Sequence, residues 1–199
     1  LSAVLLHARE TGLPCHLCGF CWGANYAVNY MASDERSRHD LEIRSMTLLA
    51  PSLFPSALIT ERPFETGDSS EPSQEPVMPL ECFTEGPKFE NFIKPDPLRL
   101  TRVSLRLNRI MSEFSRGIWM KFLRLDVPTL VILGANDEVV DNRATEQLFA
   151  RLRCSRKSLR TLPGRHGLQF DAADEVIRLV GQWIASSPLQ RLDTRTTEG

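Results

Sequence analysis

The sequence predicts an α/β fold in which a parallel sheet carries helices on both faces. Two observations lead there. Short apolar runs alternate with stretches of helical spacing, in the order helix, strand, helix, strand, insertion, strand, helix, strand, helix. In addition, Cys21, Asp137 and His166 each fall just past the predicted carboxyl end of a different strand. That edge is where reactive groups gather in sheets of this type.

Residues 2–10 read as a helix, with Leu5, Leu6 and Arg9 in helical spacing and Gly12 placed to end it. Leu13-Pro14 then turns the chain into Cys15-His16-Leu17-Cys18-Gly19-Phe20, an apolar run of the kind buried in parallel sheets. Residues 22–32 are helical, with Ala24, Ala27, Val28 and Met31 on one side, and 33–40 form a charged surface loop. Ile43-Arg44-Ser45-Met46-Thr47-Leu48-Leu49-Ala50 is a second strand, closed by Pro51. Composition shifts from there to residue 97, where prolines recur. The decapeptide Gly67-Asp68-Ser69-Ser70-Glu71-Pro72-Ser73-Gln74-Glu75-Pro76 has almost no apolar content and is expected to be a loop. Residues 98–125 turn helical again, with Leu100, Val103, Leu107, Ile110, Met111 and Phe114 at three- and four-residue steps.

The strongest strand is Val127-Pro128-Thr129-Leu130-Val131-Ile132-Leu133-Gly134, which runs into Ala135-Asn136-Asp137. An amphipathic helix over 145–152 and a strand over 158–162 follow, then Pro163-Gly164-Arg165-His166-Gly167. Residues 172–185 form a closing helix with Val176, Leu179, Val180, Trp183 and Ile184 inward. The organisation expected is therefore a core of 1–51 and 126–188, a cap or lid insertion over 52–125, and a flexible tail over 189–199.

Of the 199 residues, 42% are hydrophobic, enough for one real core, and the formal net charge is −1. That balance gives no support for nucleic-acid binding through bulk electrostatics. No apolar run reaches the ~18 residues of a membrane span. The apolar start lacks the basic flank and cleavage site of a secretory signal, so a cytoplasmic location is expected. Five cysteines then read as reduced thiols. Cys15-x-x-Cys18-x-x-Cys21 has the spacing of a metal or cluster site, but no fourth clustered ligand follows. Strand geometry also sends Cys18 to the face opposite Cys15 and Cys21. No metal and no cofactor are expected, and Cys15 and Cys18 read as small buried hydrophobes. His7, His16 and His39 have no constellation around them.

Gly19-Phe20-Cys21-Trp22-Gly23 has the layout of a nucleophile elbow, in which a strand turns sharply into a helix and small neighbours leave room. The amino end of the following helix would direct the Trp22 backbone N–H at a developing oxyanion. His166, in a Gly-rich loop, suits a base that later acts as an acid, and Asp137 suits the group that holds its other ring nitrogen. Asp141 and Asp171 are rival carboxylates for that role.

These segments, with Leu162-Pro163-Gly164-Arg165-His166-Gly167-Leu168-Gln169-Phe170-Asp171, resemble the α/β-hydrolases, and within them the lysophospholipase and monoacylglycerol-lipase-like serine hydrolases. The resemblance implies Cys21 as nucleophile, Asp137 as acid and His166 as base. It implies a small-molecule acyl ester or lipid-like substrate and places the insertion where those enzymes carry a lid. Cys21 stands where the family usually has serine; the dienelactone hydrolases, similar in fold, use cysteine there. The family also brings further strands and a His-Gly-type loop ahead of the elbow, which this sequence does not contain, so the chain is expected to be part of a longer product. A half sheet would leave an edge open to self-association, which makes a homo-oligomer one expected state. Two alternatives stay open: a non-catalytic binding protein with the same fold, and an inactive fragment.

Overall fold

The structure is a computed structural model that describes residues 2–33, 43–56, 74–76, 79–99 and 102–186. Helix α1 (Ser2–Arg9) leads through Gly12, which takes φ +68, into β1 (Cys15–Phe20). Helix α2 (Trp22–Ser33) returns along the sheet to β2 (Ile43–Leu49). Strands β3 (Gln74–Pro76) and β4 (Arg102–Ser104) pair with each other in antiparallel fashion. Between them lie a 3₁₀ turn (Leu80–Cys82) and α3 (Pro87–Ile93). Helices α4 (Leu105–Ser115) and α5 (Ile118–Phe122) lead to β5 (Thr129–Gly134). The chain closes with α6 (Asn142–Ala150), β6 (Lys157–Leu162), α7 (Leu168–Asp171) and α8 (Ala173–Ala185).

Four strands make one parallel sheet in the order β1-β2-β5-β6. Both faces of β5 are buried, and its period-2 alternation sorts the core into two layers. Val131 and Leu133 join Met46 and Leu48 of β2 against Ala24, Ala27, Val28 and Met31 of α2. Leu130 and Ile132 face the other way, against Leu162, Leu168 and Val176, with Leu179, Val180 and Trp183 of α8 packed on them. Ile184, expected inward, lies at the rim and is exposed.

Three expectations are corrected. Strand β1 is only half buried, and Cys18 is exposed, because among the described residues β1 pairs with β2 on one side alone. Residues 74–76, read as part of a loop, are extended because they pair with 102–104. The stretch 98–125 is not one helix. Ser104 is extended and its side chain accepts a hydrogen bond from Leu107 N at 3.2 Å, so the helix starts after it. Gly117 then takes φ +77 and separates α4 from α5. The charged loop after α2, with His39, most of 52–73 and the tail fall outside the described residues.

Candidate active site

The carboxyl ends of β1, β5 and β6 bring three side chains to one sheet edge. Cys21 is the single residue between β1 and α2, and it holds φ +51. That conformation costs a residue with a Cβ roughly 1–2 kcal/mol. It is held by backbone bonds: Cys21 N–H donates to Leu49 O at 2.9 Å, and Cys21 O accepts from Ser52 N at 3.1 Å and from Ala24 N at 3.1 Å. Gly19 is required by contact, since a Cβ there would sit 2.7–2.9 Å from the backbone of Gly23 and Ala24. The partner glycine of the motif behaves differently. A Cβ on Gly23 would meet nothing within 4 Å, so the tight turn depends on Gly19 and not on both. Trp22 is the first residue of α2, so its N–H has no acceptor within the helix.

His166 Nδ1 lies 2.8 Å from Asp137 Oδ2, and both side chains are fully buried. A carboxylate can only accept, so Nδ1 carries the proton in this bond. The other oxygen, Asp137 Oδ1, accepts from the N–H groups of Val139 (2.8 Å) and Val140 (3.2 Å), which locks the carboxylate in the turn after β5. The rival carboxylates are occupied elsewhere. Asp141 caps α6 by accepting from Ala144 N at 2.9 Å. Asp171 accepts from the Thr84 hydroxyl (2.5 Å), Arg165 N (2.9 Å) and Glu85 N (3.2 Å).

The His166 ring sits between two aromatic rings, Phe20 at 5.1 Å and Phe83 at 5.6 Å. Burial acts to lower its pKa. The Asp137 hydrogen bond acts to raise it, as do hydrogen bonding and charge attraction at Cys21, and together they push it up to about 9. Nε2 is buried and its approach to any neighbour falls outside strict hydrogen-bond geometry. Cys21 is still close enough to be one of the groups that raise the imidazole. The histidine loop is also tied to the insert, with His166 N donating to Cys82 O (3.2 Å) and Gly167 N to Phe83 O (2.7 Å).

With this geometry in place, the comparisons become informative. The sequence profile of a hydrolase family, described as serine aminopeptidase S33, matches residues 2–173. The chain belongs to this α/β-hydrolase family. Among solved structures, the chain is similar to the Paleococcus ferrophilus monoacylglycerol lipase, with 19% identity over 94% of this chain and 72% of that one, at a TM-score of 0.72. It is also similar to a soluble variant of the Saccharomyces cerevisiae monoglyceride lipase, with 17% identity over 92% and 65% of the two chains, at a TM-score of 0.75. A carboxyl esterase from Bacillus coagulans matches at 16% identity over 93% and 68%, with a TM-score of 0.68. At these identities the likeness is one of fold, and the chain spans roughly two thirds to three quarters of their lengths. A search of curated proteins found no match.

All five cysteines are free thiols, and no group of three or more His, Cys, Asp or Glu among the described residues is placed to hold a metal ion. No described helix is long and apolar enough to cross a membrane. His16 bonds Ser45 Oγ at 2.8 Å, and His7 pairs on the surface with Glu10. A cleft of about 870 Å³ that includes Leu125, Asp126, Arg153 and Cys154 lies where the chain enters β5 and β6, at the opposite sheet edge. Sequence reasoning missed Phe83, Asn25 and Ser115, and it weighed Asp171 only as a rival acid, where the structure makes it the tie between the His166 loop and the insert.

Proposed function

We propose that the protein cleaves carboxylic esters or related acyl compounds by acyl transfer through Cys21, His166 and Asp137. The observation that carries the reading is the buried His166, bonded to Asp137 through Nδ1 and close to Cys21 on its other side. His166 Nε2 takes the thiol proton as Sγ attacks the carbonyl carbon. The C=O π bond opens, and the negative charge that forms on oxygen meets the Trp22 N–H. As the tetrahedral adduct collapses, the C–O bond to the alcohol breaks and Nε2–H donates its proton to the leaving oxygen. A thioester remains on Cys21. Water then gives a proton to Nε2 and attacks the thioester, and the thiolate leaves and recovers that proton. Asp137 holds the ring in one tautomer throughout and stabilises the imidazolium formed in each half.

Support for an acyl ester or lipid-like substrate comes from the family and from neighbours named as monoacylglycerol lipases and a carboxyl esterase. The insert between β2 and β5 is read as the cap over the acyl pocket, because its segment 82–83 meets the histidine loop. The test is rapid mixing with an activated aryl ester. The expected result is a burst of about one equivalent of phenol per chain, lost in Cys21→Ala, with the acyl group recovered on the Cys21 peptide. Ligand-induced thermal stabilisation with neither burst nor acylation would instead favour a binding protein.

A further inference from the structure

We propose that Ser115 is a positioning residue: it latches the insert between β2 and β5 onto the amino end of α2, and it acts on the reaction through Trp22. The latch rests on the acyl-transfer reading only for its effect on turnover. Ser115 is the last residue of α4. Its hydroxyl oxygen accepts two hydrogen bonds, from Trp22 Nε1 at 2.9 Å and from Asn25 Nδ2 at 3.2 Å. The same Asn25 nitrogen donates to Ser52 O at 2.8 Å, and Ser52 N donates to Cys21 O at 3.1 Å. Trp22 is bonded covalently to Cys21, so the links close into a ring: Cys21, Ser52, Asn25, Ser115, Trp22 and back to Cys21.

Each member fits its place chemically. An indole N–H and an amide N–H can only donate, and a hydroxyl oxygen is the smallest side-chain group that accepts from both. Asn25 is fully buried, so its position is not shared with solvent. Beside the hydroxyl, Phe114 packs its ring 4.5 Å from Tyr26 and 5.5 Å from Trp22, while Trp22 and Tyr26 lie 4.9 Å apart edge to face. Further up the same helix, Leu107 and Ile110 remain exposed. With both donors meeting on the Ser115 hydroxyl, the docking of this helix end depends on that hydroxyl. Trp22 supplies both the indole held by the latch and the N–H assigned to the oxyanion. A change in docking therefore reaches the reaction through one residue.

The test uses the full chain with Trp119→Phe and Trp183→Phe, which leaves Trp22 as the one indole of three. Ser115→Ala and Ser115→Thr are compared in that background. Three readouts are taken: Trp22 emission, labelling of Cys21 by N-ethylmaleimide against a long-chain N-alkylmaleimide (mapped by peptide), and turnover of an aryl ester. Ser115→Ala is expected to red-shift the emission. It should also raise the long-chain to ethyl labelling ratio by about tenfold, the equivalent of one hydrogen bond. Where the ester is turned over, kcat should fall more than KM rises. Ser115→Thr keeps the hydroxyl and is expected to restore all three. Emission and labelling ratio unchanged in Ser115→Ala would overturn the latch. An absence of turnover in the parent would overturn the acyl-transfer reading alone, because emission and labelling report on the latch without it.

Discussion

Replacing Asp137 with Asn tests the charge logic of the site most directly. The Asp137–His166 bond is 2.8 Å long and fully buried, and the imidazole is pushed from 6.5 up to about 9. Burial alone would move it the other way. Asn is nearly the same size but carries no charge, so burial remains while the largest upward cause is lost. His166 should then titrate at least a unit lower, which is about a tenfold smaller imidazolium-to-imidazole ratio at a given pH above both values. The sign for stability follows from the raised folded-state pKa. The extra stability is fully present below about 6.5 and is lost as pH rises through about 9. Across that window it is worth on the order of 3 kcal/mol in the parent. The assay has two parts: an NMR titration of the His166 ring, identified by His166→Gln, and urea unfolding at pH values on either side of the window. The parent should lose stability across it, and Asp137→Asn should show a flatter profile. An Asn variant whose imidazole titrates where the parent's does would refute the assignment of Asp137 as the controlling partner.

Three further substitutions follow from the geometry. Gly19→Ala should destabilise by about 2–3 kcal/mol, because its Cβ meets backbone 2.7–2.9 Å away that cannot swing aside. Gly23→Ala, in the same motif, should be neutral or stabilise by about 0.5–1 kcal/mol through helix propensity. Urea melts of the pair would show the difference, and equal losses would mean that both glycines are needed by the turn. Asp171→Asn should cost roughly 2 kcal/mol, since one carboxylate organises Thr84, Glu85 and Arg165. By loosening the loop that carries His166, it should also slow ester turnover without shifting the His166 titration. A parallel fall in stability and an unchanged turnover would separate that loop from the chemistry.

Much of this was legible in the sequence because the core is built from local pattern. The run that became β5 is apolar from Leu130 to Leu133 because both its faces are covered, and its companion strands end just before Cys21 and the His166 loop. What the sequence left open was the choice among carboxylates. Asp137, Asp141 and Asp171 all follow the right strands, and only their hydrogen bonds separate a histidine partner from a helix cap and a loop tie. The insert was the least legible part. Apolar positions at three- and four-residue steps report which side of a chain is greasy, and that pattern continues across Ser104 and Gly117, where the helical hydrogen bonds stop. Phe83 and Ser115 meet the site across long sequence separations, so no local spacing could have marked them.

The strain at Cys21 has a neighbour that explains how it is sustained. Only two non-glycine residues among those described hold positive φ, Cys21 at +51 and Ala50 at +40, and each directly follows one of two paired strands. Their bonds interlock: Cys21 N–H reaches Leu49 O on one side of Ala50, and Ser52 N–H reaches Cys21 O on the other. Ala50 N–H in turn donates to Ile132 O of β5 at 2.8 Å. The turn that presents the thiol is therefore fastened to the ends of two further strands, the second of which leads on to Asp137. Strain of about 1–3 kcal/mol at such a residue persists only where its surroundings over-determine it. Here those surroundings are the same strand ends that carry Asp137, so Cys21 and the His166–Asp137 pair are positioned by one shared frame.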